Sequence, residues 1–101
     1  MGKTLGIYVS SDRHLDKLIR LCRAARTKGV TVRIFFTAEG TRLITDPRLK
    51  ALNGCAEIAL CKVGFEGRRL KKDDAMVGQG AFLNQSWNAE TIYHCDRFIA
   101  F

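Results

Sequence analysis

A chain of 101 residues makes one domain, and a domain this small buries only roughly two-thirds of its unfolded surface, so self-association would add stability. Hydrophobic residues at 47% and charged residues at 27% exclude a disordered chain. The formal net charge of +7, from 17 Lys and Arg against 10 Asp and Glu, admits an anionic partner, although the cations are spread along the chain as far as Arg97 and the densest group, Arg68 to Lys72, is offset at once by Asp73 and Asp74.

In chain order, Leu5–Val9 is a short apolar run that predicts a first strand. Ser10, Ser11 and Asp12 follow as candidate N-caps. From Leu15 the apolar period becomes helical: Leu15, Leu18, Ile19, Cys22 and Ala25 form one stripe, with Arg13, Asp16, Lys17, Arg20, Arg23 and Arg26 on the other face. Gly29 ends this helix, with Lys28 in its last turn. Val30–Phe36 predicts a second strand, parallel to the first through a right-handed crossover. A short helix over Thr41–Ile44 and another from Pro47 to Leu52 lead to the Asn53-Gly54 turn. Cys55–Cys61 predicts a third strand, followed by a loop broken by Gly64 and Gly67 and a helical turn over Arg68–Lys72. Ala75–Leu83 reads as a short irregular strand weakened by Gly78 and Gly80. A helix over Asn88–Cys95 and a last strand, Arg97–Phe101, complete the pattern. The alternation predicts an α/β domain spanning residues 1–101, a three-layer sandwich with a mainly parallel sheet of about five strands.

No apolar run approaches the ~18 residues of a membrane span, and the start carries no signal-peptide pattern, so the expected location is the cytoplasm. The cysteines there (Cys22, Cys55, Cys61, Cys95) are expected to be reduced. They form no C-x-x-C pair, and with His14 and His94 they make no zinc spacing. No metal or cofactor is expected.

The chemistry centres on Cys61. A thiol at the carboxyl end of an α/β strand sits where open sheets hold ligands, and neighbouring cations favour the nucleophilic thiolate. Ser10 and Ser11 follow the first strand, Thr37 follows the second, and Lys62, Arg68 and Arg69 lie close to Cys61 in sequence. One cleft would therefore hold a thiol, hydroxyls and cations, with the cations and hydroxyls binding an anion or a partner. Cys22 reads as core, Cys55 as an inert thiol at the opposite edge and Cys95 as buried. His14 reads as a surface histidine, His94 as unpaired with Cys95, and Trp87 as packed or at an interface. Gly78-Gln79-Gly80 lacks the context of a dinucleotide site.

The opening T-L-G-I-Y-V-S-S-D-R, the A-A-R-T-K-G-V-T-V-R-I-F-F-T-A-E-G continuation, the strand E-I-A-L-C and the terminal C-D-R-F-I-A-F together resemble the DsrE/DsrF-like family of small α/β sulfur-relay proteins. The resemblance spans nearly the whole chain as an order of elements. It implies a homo-oligomer (dimer, trimer or hexamer) and a persulfide carried on Cys61, exchanged with a TusA-like carrier protein. The loop after Cys61 lacks the second cysteine that an intramolecular disulfide relay would need.

Two functional classes follow. In the first, the protein is a sulfur carrier or sulfurtransferase acting through Cys61. In the second, it is a non-catalytic oligomeric binding or regulatory subunit with a basic cleft. A thiol-based disulfide or peroxide reductase ranks third, for want of a resolving thiol. Nucleic acid is disfavoured as a partner, because Phe35, Phe36, Phe98 and Phe101 fall in core strands rather than beside basic residues.

Overall fold

A computed structural model describes residues 2–101. Its strands are β1 (Thr4–Val9), β2 (Thr31–Phe36), β3 (Glu57–Cys61), β4 (Phe82–Leu83) and β5 (Arg97–Ala100). They form one sheet in the order β4-β3-β2-β1-β5, with every pairing parallel. The helices are α1 (Leu15–Thr27), α2 (Lys62–Gly67) and α3 (Gln85–His94), with longer 3-10 segments over Ala38–Thr45 and Pro47–Leu52.

This order follows from handedness. From β1 to β4 the chain steps in one direction, so right-handed crossovers place α1, the 3-10 segments and α2 on one face. The return from β4 to β5, beside β1, reverses direction and puts α3 on the other face. The result is a three-layer α/β/α sandwich, asymmetric in its covering.

The front layer closes the main core. Ile7, Val9, Val32, Ile34, Phe36 and Leu60 from the sheet meet Leu15, Leu18 and Cys22 of α1, together with Leu43, Ile44, Leu49, Leu52 and Phe65. Each large apolar side chain buried in this way contributes about 1.5–3 kcal/mol, which is why the α1 stripe folds against the sheet as its spacing predicts. The back layer is thinner. Phe35 stacks on Trp87 of α3 with ring centroids 6.1 Å apart. Arg33 lies over the Trp87 ring at 4.2 Å, donates from Nε to Thr91 Oγ1 at 2.9 Å, and pairs with Glu57 at 2.8 Å. This one side chain ties β2, β3 and α3 together.

Several boundaries differ from the sequence expectation. The N-cap of α1 is His14, not Ser10, Ser11 or Asp12; Ser11 Oγ instead accepts from Arg13 N–H in a local turn. The segment after Cys61 is helical over Lys62–Gly67 rather than a glycine-broken loop, because Phe65 is driven into the core against Phe82 (centroids 5.1 Å apart). Tertiary burial overrides the low helix propensity of Gly64. The expected helical turn over Arg68–Lys72 is replaced by a 3-10 turn at Lys72–Asp74. Strand β4 is reduced to two residues, and α3 begins at Gln85 because the Asn84 side chain caps Ser86 N–H.

One close approach fixes the carboxyl edge. A Cβ on Gly40 would stand 2.2 Å from the Val9 carbonyl oxygen and 2.8 Å from its carbon, and a strand backbone cannot yield that distance. Gly40→Ala is therefore expected to destabilise the fold by roughly 1–3 kcal/mol or more, read from urea denaturation. Gly67→Ala, with open space around it, should be neutral or mildly stabilising.

Candidate functional site

The strands end level with one another. Val9 pairs with Phe36, Phe36 with Leu60, and Cys61 with Leu83. The next positions, Ser10, Thr37 and Cys61, therefore form a row across the carboxyl edge, adjacent strands lying about 5 Å apart. Side chains alternate along a strand, so these three belong to the face that α3 covers.

Cys61 is half-buried and is the N-cap of α2, its Sγ accepting from Gly64 N–H at 3.3 Å. A Cβ on Gly64 would lie 3.4–3.5 Å from Ala38 N, Cys61 Cβ and Thr41 Cγ2, so the loop after β2 borders the thiol's cap. Ala38 in that loop holds a positive φ of 49°, a conformation that disfavours side chains. Thr37 is 8% exposed. Its N–H donates to the Val9 carbonyl, and its Oγ1 accepts from Gln85 Nε2 at 3.5 Å, a long bond.

The other expected residues separate. Ser10 is tied to the Phe101 carbonyl through its N–H (2.9 Å) and its hydroxyl (3.3 Å). Ser11 turns into its own loop. Arg68 is engaged by other groups: Nε donates to Glu39 Oε1 at 3.0 Å and Nη1 to the Gly64 carbonyl at 3.1 Å. Glu39 also binds Arg42 at 2.6 Å, and these partners, Arg42 first, hold its carboxyl below the usual 4.5. Because the folded value is depressed, this clamp is intact above pH 4.5 and is lost as pH falls through the lowered value; being exposed, it stabilises little. Arg69 is exposed at a positive φ of 57°. Lys62 instead lines a hollow of about 140 Å³ with Lys72, Gln79 and Phe82, and Lys72 Nζ lies 5.5 Å from the Phe82 ring.

Lys72, Gln79 and Gln85 are thus polar groups near this edge that sequence spacing did not single out. Lys72 and Gln79 arrive through the irregular 71–83 segment, which carries no periodic signal, and Gln85 through the first residue of α3.

The remaining cysteines sort by position. Cys22 is fully buried, and burial, with a smaller effect from Cys55, pushes its thiol up to about 12. Cys55 lies at the amino edge with Arg26 Nη1 3.7 Å from its sulfur. Cys95 directs its S–H to the Ile92 carbonyl at 3.6 Å rather than to His94, whose ring meets Tyr93 at 5.0 Å. The His14 ring lies 5.9 Å from that of Phe101. Among the described residues no group of three or more His, Cys, Asp or Glu is placed to hold a metal ion, and no helix is long and apolar enough to cross a membrane.

Neither the models of known protein families nor the curated proteins include a match to this chain.

Native alkylation with iodoacetamide is expected to modify Cys61 and spare Cys22 until denaturant is added, as mapped by mass spectrometry. Labelling of Cys22 in the folded state, or silence of Cys61, would contradict this arrangement.

Proposed function

We propose that this protein is a DsrE/DsrF-like sulfur carrier in which Cys61 holds a persulfide. The observation that supports this most is positional: of the four cysteines, Cys61 alone stands at the carboxyl edge, half-exposed and with a backbone N–H on its sulfur.

The chemistry is two successive displacements. The Cys61 thiolate attacks the outer sulfur of a donor persulfide, R–S–SH. A new S–S bond forms to Cys61, the donor's S–S bond breaks, and its electron pair leaves on R–S⁻. An acceptor thiolate then attacks the outer sulfur of Cys61–S–SH, takes it as its own persulfide and returns Cys61 as thiolate. No electrons are gained or lost overall, and no cofactor is consumed. The Gly64 N–H provides a donor to the negative sulfur during both steps. Thr37 and Gln85 offer a hydroxyl and an amide beside it, and Lys62 with Lys72 gives the edge a positive margin for an acidic carrier of the TusA type. Arg68 contributes through structure, by tying α2 to Glu39. Reduced thiols of this kind suit the cytoplasm. The exposed Ile92, Tyr93 and Phe98 at the end of α3 and on the edge strand β5 favour a homo-oligomer.

A second reading, an anion- or partner-binding subunit without sulfur chemistry, draws on the Lys62–Lys72–Gln79 hollow, which requires no thiol.

Intact-protein mass spectrometry after exposure to a sulfane-sulfur donor separates the two readings. Wild type is expected to gain one reducible sulfur atom, and Cys61→Ser, which keeps a hydroxyl acceptor for Gly64 N–H, should fold and gain none. Equal gain on both proteins, or no gain on wild type, would overturn the carrier reading in favour of the binding subunit.

A further inference from the structure

The opposite corner of the molecule holds a feature of different chemistry. Strand β5 joins β1 on the side away from β2, while α1 packs over β1 and β2, so the front face above β5 is only partly covered. There a groove of about 290 Å³ opens, with an apolar floor that includes Leu5, Leu21, Ala24 and Val30. The small side chain of Ala24 leaves the space that a larger helix residue would fill.

The rim is cationic. Lys3, Lys28 and Arg97 border the groove, all three are exposed, and none has a carboxylate within 4.0 Å among the described residues. The one acid on the rim, Asp96, is committed to the backbone: its Oδ2 accepts from Thr4 N–H at 2.8 Å and its own N–H donates to the Thr4 carbonyl at 2.9 Å. It offsets one positive charge and leaves two in excess. The volume stands just below the roughly 300–1,000 Å³ of ligand pockets, which suits a small molecule rather than a docked helix. A bare oxyanion would leave the apolar floor wet, and a neutral hydrocarbon would leave the cations unanswered.

We propose that this groove binds a small amphipathic carboxylate, a medium-chain or aromatic acid whose apolar body lies on Leu5, Leu21 and Val30 and whose charged end meets the Lys28–Arg97 side of the rim. The site is at the amino edge of the sheet, far along the strands from Cys61, and does not depend on the sulfur reading.

The test is a titration of the ¹⁵N-labelled protein with sodium octanoate, in parallel with 1-octanol and octylammonium. Octanoate is expected to shift the amides of Leu5, Leu21, Ala24 and Val30. With two or three exposed charge contacts at stake, octanol should bind about tenfold more weakly, and octylammonium should give no shifts there. Ala24→Leu, which exchanges the best helix former for the next best and so costs the helix little, should abolish the octanoate shifts by filling the groove. The Lys28→Gln/Arg97→Gln double variant should reduce octanoate to the octanol level while leaving octanol binding unchanged, which separates lost charge from lost fold. Absence of octanoate shifts up to its solubility limit, shifts centred elsewhere, or equal binding of the three probes would overturn the proposal.

Discussion

Strand β2 is buried on both faces, with Phe36 turned into the front core and Phe35 stacked beneath Trp87, and the other placements follow from that burial. A strand so enclosed cannot slip by one residue without exchanging its two faces, so its register with β1 and β3 is held. That register sets Ser10, Thr37 and Cys61 level at the carboxyl edge. Gly40 completes the arrangement by bringing the loop after β2 against the end of β1, at a distance no side chain would allow.

The two faces of the sheet have different work. The front carries most of the apolar burial, under α1, the 3-10 segments and α2. The back is held by a single 10-residue helix, anchored through Arg33, Trp87 and Thr91, and leaves apolar residues of α3 and β5 in contact with solvent. The electrostatics divide along the other axis. At the carboxyl edge, Glu39 pairs with both Arg68 and Arg42 and offsets one of their two charges, while Lys62 and Lys72 border the hollow beside Phe82. At the amino edge, Lys3, Lys28 and Arg97 surround an apolar floor.

Much of the fold could be read from periodicity. The α1 stripe from Leu15 to Ala25 and the compact apolar strands each carry a strong local signal, and Gly29 takes the positive φ of 73° expected of a residue closing a helix. The failures have a common physical origin in tertiary burial. Gly64 and Gly67 read as breakers because the pull of Phe65 into a pocket against Phe82 is invisible to local spacing. Helix α3 starts at Gln85, three residues before the expected Asn88, because the Asn84 side chain caps Ser86 N–H. At the candidate site, the position of Cys61 at a strand end was legible. The diversion of Arg68 to Glu39 was not, since it joins residues 29 positions apart.

The central claim is that sulfur is carried on Cys61 and on no other cysteine of this chain. Fragment-ion mapping of sulfur-loaded wild-type protein addresses it most directly, with persulfides trapped by alkylation before digestion. Trypsin releases Ala51–Lys62, which contains both Cys55 and Cys61, so the site must be read within that peptide. The account predicts the additional sulfur on the Cys61-Lys62 fragment, with Cys55 and Cys95 unloaded. Sulfur on Cys55 or Cys95, or spread evenly among the accessible thiols, would contradict it.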